Sequence, residues 1–147
     1  HHNGITFICA NNKINNSDIK KIHSFWQPIS MGAQVQWLKS ESNIDKFTAL
    51  TGSGPAYFIY FCECLVKVFK NFGLTGKEAN EYVMGLFSGT FSPYRTFSEI
   101  KKMIASKGGT TEQALKILQA SNFEKTLEKA IRQAHSKSKN ILNKKND

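Results

Sequence analysis

The chain has 147 residues, and 20 Lys and Arg against 11 Asp and Glu give it a formal net charge of +9. That length permits one domain with a real core, or one domain plus a fragment. Apolar residues at 40% with 12% aromatics favour a globular fold over disorder outside the tail, and no apolar run approaches the roughly 20 residues that a bilayer span needs. No signal peptide is visible, although a missing native N-terminus would conceal one. Cys9, Cys62 and Cys64 are odd in number, and no second C-x-C or His cluster completes a zinc site. Reduced thiols in a cytoplasmic protein, and no metal, are therefore expected. The charge raises nucleic-acid binding as a rival function. The lysines are scattered, however, with some density only at Lys137, Lys139, Lys144 and Lys145. A solvated basic tail is the preferred reading, with neither nucleic acid nor membrane as a partner.

Ile5–Ala10 (ITFICA) is a short apolar run rich in β-formers and predicts a buried strand. Asn15–Ser17 offer caps, and Ile19, Ile22, Phe25, Trp26 and Ile29 follow at helical spacing until Pro28 and Gly32 end the helix. Gln34–Leu38 alternates Val35 and Trp37 against Gln34 and Gln36, which predicts a second strand. A lone β-α-β unit lacks neighbours for its strand edges, so it reads as part of a larger sheet. Residues 39–48 read as a polar connection.

From Pro55 onward the pattern is helical. Phe58, Ile59, Phe61, Cys62, Leu65, Val66 and Phe69 leave Pro55–Phe69 apolar on most faces. A helix of that kind must be buried all round, which a small helical domain cannot manage alone, so a partner chain is expected. Gly73 fits a C-cap. Thr75 and Glu78 have capping-box spacing and open a helix through about Phe91, which carries Gly85 and Gly89 as a small-xxx-small pattern. Thr96 and Glu99 form another such pair before Ile100, Met103 and Ile104. Leu115, Ile117 and Leu118 then mark a short helix. Asn122 caps the last one, with Leu127, Ala130, Ile131, Ala134, Ile141 and Leu142 along one stripe. His23 and His135 pair with no carboxylate or cysteine at an informative spacing and read as surface residues. No Ser-His-Asp or H-E-x-x-H arrangement stands out.

The segment between those helices, MIASKGGTTEQALKIL at 103–118, is the most informative in the chain. Two glycines free the backbone for positive φ and for the close approach of another group. The hydroxyls that follow sit where a helix start leaves its N–H groups unpaired. Thr110 and Gln113 have capping-box spacing, which supports a helix opening there. Bare N–H donors, two hydroxyls and the positive end of a helix dipole then face one small volume, which suits a carboxylate or phosphate. A well-made turn with no ligand is the plainer alternative. A second segment, ALTGSGPAYFIY at 49–60, places Gly-Ser-Gly-Pro before a long apolar run, with Pro55 suited to a first helical turn and Ser53 or Gly54 to its cap.

Together the two segments resemble the pyrroline-5-carboxylate reductase family. Ser106, Gly108, Gly109, Thr110, Thr111, Ala114 and Leu115 match its Ser-Pro-Gly-Gly-Thr-Thr signature and the Ala-Leu helix after it. Gly52, Ser53, Gly54, Pro55, Ala56 and Tyr57 match the opening of its dimerisation domain. The resemblance implies a mainly α fold: a helical dimerisation and substrate-binding domain at 46–147, preceded at 1–45 by the β-α-β remnant of a Rossmann-type dinucleotide-binding domain. It implies that the whole enzyme reduces 1-pyrroline-5-carboxylate to L-proline with NADPH or NADH, as a homodimer or higher oligomer. Ser106, Gly108, Gly109 and Thr110 would bind substrate around its carboxylate, and Thr111 would hydrogen-bond the ring nitrogen as the catalytic residue. Lys107 stands where the family has proline, which frees the turn's φ and adds a cation. No G-x-G-x-x-G follows a strand, so the chain reads as a C-terminal piece, inactive alone and with no cofactor bound. A related imine or acid oxidoreductase, and a dimerisation module without activity, remain alternatives. His1 and His2 fit a purification tag or native residues equally.

Overall fold

A computed structural model describes residues 5–11, 13–29, 34–90 and 94–143. They fall into two compact units, His1–Pro55 with Ala130–Asp147, and Ala56–Lys129. The fold is mainly helical, with a β-α-β element at the front.

In the first unit, strands β1 (Ile5–Cys9) and β2 (Gln34–Leu38) pair in parallel, in a register that runs from Ile5↔Gln34 to Cys9↔Leu38. A parallel pair needs a crossover, and helix α1 (Asn16–Ile29) supplies it. Its start is closed by side chains: the Asn15 Oδ1 accepts from the N–H groups of Ser17 at 2.8 Å and Asp18 at 3.0 Å. Pro28 lies within this helix, one residue before its end, and Gly32 lies outside the described residues.

The expected polar connection at 39–48 is instead largely helical, as α2 (Ser42–Phe47) followed by a π-helical turn at Thr48–Gly52. Burial explains the difference. Ala49 is buried, and the Phe47 ring stacks on Phe7 with centroids 4.4 Å apart. The Thr48 and Thr51 hydroxyls donate to the carbonyls of Ile44 and Phe47 at 2.9 and 2.8 Å, which absorbs hydroxyls that would otherwise compete with the helix. The widened turn, in which the Ser53 N–H donates to the Thr48 carbonyl at 3.1 Å, precedes Pro55. There an α-register would leave a carbonyl without its donor and press it against the proline ring.

Asp45 of α2 is buried and accepts from the Ser138 hydroxyl at 3.3 Å. Ser138 belongs to α7 (Phe123–Asn143). Within this unit the half-buried stripe of α7 is Ile131, Ala134, His135 and Ser138, a three-and-four spacing. His135 is therefore not the surface residue expected, and its Nε2 is buried with no hydrogen-bond partner among the described residues. The side chains of Ile141 and Leu142 lie outside the described set.

The second unit takes most of α3 (Gly54–Asn71), then α4 (Gly76–Thr90), α5 (Phe97–Ile104), α6 (Thr110–Ala120) and the start of α7. Helix α3 stops at Gly73, whose φ of 98° suits glycine. The Leu74 N–H donates to the Phe69 carbonyl and the Gly73 N–H to that of Lys70, at 3.3 and 3.0 Å, the two bonds of a Schellman end. Capping boxes open the next two helices. The Thr75 N–H and hydroxyl donate to Glu78 Oε2 at 2.8 and 2.7 Å, and those of Thr96 donate to Glu99 Oε2 at 2.7 Å each. Bonds from Thr75, hydroxyl first, hold the Glu78 carboxyl below its ordinary range; for Glu99 the Thr96 backbone bond leads. Asn122 takes the left-handed conformation, φ 56°, between α6 and α7.

This unit buries little apolar surface for itself. Ala79 and Val83 are its buried apolar side chains among the described residues, whereas Phe58, Ile59 and Tyr60 are 61, 61 and 65% exposed. On α4, Tyr82 and Leu86 are exposed, and a Cβ on Gly85 or Gly89 would meet nothing within 4 Å. Residues 82, 85, 86 and 89 share one helical face, so that face is open in the single chain. No helix of the described residues is long and apolar enough to cross a membrane.

Candidate functional site

Helix α5 gives way at Ala105 to extended backbone (φ −91°, ψ 93°), and α6 begins five residues later. The turn between them brings Ser106, Gly108, Gly109, Thr110 and Thr111 together at one helix start. Gly108 has φ 76°, a left-handed conformation that suits glycine. At Gly109 the constraint is space: an added Cβ would lie 2.5 Å from Ser106 Oγ and 3.1 Å from the Ser106 carbonyl oxygen.

Gly109 is the N-cap of α6, with extended backbone and no side-chain cap. The Thr110–Gln113 capping box read from the sequence does not form. Thr110 is already the first helical residue, and the Gln113 N–H makes the first intrahelical bond, to the Gly109 carbonyl at 3.3 Å. The donor set is accordingly sharper than a bare glycine turn suggests. The Gly109 N–H donates to the Ser106 carbonyl at 3.0 Å, and the Gly108 N–H to Glu112 Oε2 at 2.5 Å. The glycines shape the turn, while the N–H groups of Thr110, Thr111 and Glu112 precede the first intrahelical bond and project from the helix end.

Thr111 is half-buried. With Thr90, Phe97, Ile100, Lys101, Ile104 and Leu115 it lines a cleft of about 270 Å³ whose walls are apolar. Glu112 is the residue that sequence reasoning missed. Once Gly109 is taken as the N-cap, a glutamate falls at the third helical position, where reach-back bonding is common. Among the described residues no three His, Cys, Asp or Glu stand together as a metal site, and Cys9, Cys62 and Cys64 are free thiols.

Residues 41–141 match the protein family described as pyrroline-5-carboxylate reductase dimerisation. The pyrroline-5-carboxylate reductase of Pseudomonas aeruginosa is 33% identical over 106 residues, 69% of this chain and 39% of that protein. The enzyme of Haemophilus influenzae is 32% identical over 110 residues, 71% of this chain and 41% of that protein. Among solved structures, a pyrroline-5-carboxylate reductase from Coxiella burnetii superimposes with a TM-score of 0.81 at 29% identity, covering 95% of this chain and 52% of that one. Plasmodium falciparum pyrroline carboxylate reductase, solved with NADP bound, gives 0.75 at 27% identity, covering 92% and 52%. The chain thus spans about 40% of the length of these curated relatives and about half of the solved chains. A match across residues 41–141, and relatives of this similarity over more than two thirds of the chain, mean that the chain belongs to the pyrroline-5-carboxylate reductase dimerisation family.

Proposed function

We propose that this chain is the dimerisation and substrate-binding part of an NAD(P)H-dependent pyrroline-5-carboxylate reductase, which reduces 1-pyrroline-5-carboxylate to L-proline. Residues 46–147 form its helical domain, and residues 1–45 are the last β-α-β unit of its dinucleotide-binding domain. The observation that carries this reading is the start of α6, where Thr110 and Thr111 N–H groups project beyond a turn closed by Ser106, Gly108 and Gly109, in a chain of this family. Those two N–H groups hold the substrate carboxylate, aided by the positive end of the helix. The Thr111 hydroxyl positions the ring nitrogen. The chain's contribution is placement.

The turn after β1 does not fit a cofactor pyrophosphate: it carries no glycine to let one approach, and Asn15 occupies the first N–H groups of α1. The 147 residues alone are accordingly expected to be inactive, whereas the full-length protein that carries them oxidises NADPH or NADH in the presence of 1-pyrroline-5-carboxylate. A full-length protein that is folded, dimeric and inactive with both cofactors would overturn the reading. Exposed apolar residues on α3 and α4 also support a homodimer, since obligate interfaces resemble a core cut in half. Light scattering of the chain at micromolar concentration should give the dimer mass, and a monodisperse folded monomer would contradict it.

A further inference from the structure

Glu112 reaches back over the first turn of α6. Its Oε2 accepts the Gly108 N–H at 2.5 Å, and its Oε1 lies 3.2 Å from Lys116 Nζ. Residue 107 is lysine, so no proline ring fixes φ just before Gly108. Two bonds then hold the turn, from the Gly109 N–H to the Ser106 carbonyl and from the Gly108 N–H to Glu112. A carboxylate at a helix start is favoured by the helix dipole, yet it would repel a second, incoming carboxylate. The Lys116 ammonium offsets that charge.

Resting on the reading of this turn as a carboxylate site, we propose that Glu112 is a positioning residue. It holds the Gly108 peptide by its N–H, with its charge balanced by Lys116, and so fixes the turn that aims the Thr110 and Thr111 N–H groups at the substrate carboxylate.

The test compares two substrates in the full-length enzyme: 1-pyrroline-5-carboxylate, and 1-pyrroline, the same ring without the carboxylate. Glu112→Ala should raise KM for the carboxylate substrate about tenfold, with kcat changed by no more than about twofold and KM for 1-pyrroline unaltered, the scale of one charged hydrogen bond. Glu112→Gln, which keeps an acceptor for Gly108, should restore KM to within about threefold of the parent. Lys116→Met leaves the brace in place and uncovers its charge, so it should raise KM for the carboxylate substrate alone. An equal rise for both substrates, or no rescue by Gln, would overturn the proposal as a general loss of structure. Unchanged kinetics in Glu112→Ala, with Thr111→Ala still impaired, would remove the brace and keep the site. Unchanged kinetics in both would remove the site as well.

Discussion

Helices α5 and α6 follow one another in the chain and start in opposite ways. At α5 the threonine is the N-cap: Thr96 accepts the Glu99 N–H at 3.3 Å, and Glu99 takes the Thr96 N–H and hydroxyl in return. At α6 the cap is Gly109, the threonines have moved to the first and second helical positions, and the glutamate serves Gly108 instead. The same residue types thus produce a closed start and an open one, by a shift of one position. A closed start stabilises its own helix. An open start forgoes that contribution and leaves N–H groups and hydroxyls for something else to bind.

Gly109→Val should disturb the α6 start most. Its Cβ would stand 2.5 Å from Ser106 Oγ, which can rotate away, and 3.1 Å from the Ser106 carbonyl oxygen, so that a β-branched side chain presses on the backbone of the turn. In the full-length enzyme kcat/KM is expected to fall at least about a hundredfold, more than for loss of any one hydrogen bond there. Activity within a few-fold of the parent would show that the turn's shape is immaterial.

Next in size is a crossed pair of threonine variants. Thr111→Ala should lower kcat/KM by about ten- to a hundredfold, the scale of one or two hydrogen bonds of about 1.4 kcal/mol each, with stability falling by no more than about 1 kcal/mol. Thr96→Ala should do the reverse: a loss of about 1 kcal/mol of stability for a missing cap, with kinetics near those of the parent. Kinetics and thermal unfolding of the two proteins decide it. Full activity of Thr111→Ala with a clear drop in Tm would reduce the α6 start to an ordinary cap.

Local chemistry was legible in the sequence wherever it was self-contained. Thr75 with Glu78, Thr96 with Glu99, and Gly73 as a helix end each depend on residues a few positions apart, and each forms. Strand β2 begins and ends where the alternation of Val35 and Trp37 placed it. What escaped depended on distant partners or on register. Residues 39–48 are polar by composition, yet 42–47 are helical and run on into the turn at 48–52, because Phe47 meets Phe7 and Ala49 is buried. His135 is drawn inward by the stripe it shares with Ser138, whose hydroxyl meets Asp45. At the candidate site, the Gly-Gly-Thr-Thr turn was readable. Which residue caps α6 was not, because Thr110 and Gly109 both suit an N-cap and only the extended backbone of Gly109, whose carbonyl takes the Gln113 N–H, separates them. That single-position ambiguity hid Glu112.

The closed starts of α4 and α5 carry a weak pH dependence of their own. The carboxyls of Glu78 and Glu99 sit below their ordinary value of 4.5 because Thr75 and Thr96 donate to them. In the unfolded chain those bonds are absent, and both groups titrate near the ordinary value. The folded pKa is the lower one, so their contribution is fully present above pH 4.5 and is lost as pH falls through the folded values. Both side chains are exposed, so the effect is small. An NMR titration should show the Thr75 and Thr96 amide protons moving with midpoints below 4.5 as the acceptors are protonated. Unfolding midpoints in urea should decline over the same range, and a Glu78→Gln, Glu99→Gln double variant should flatten that decline. Midpoints at or above 4.5 would mean that the two boxes are not formed in solution. The α5 start would then be as open as that of α6, and openness would cease to distinguish the candidate site.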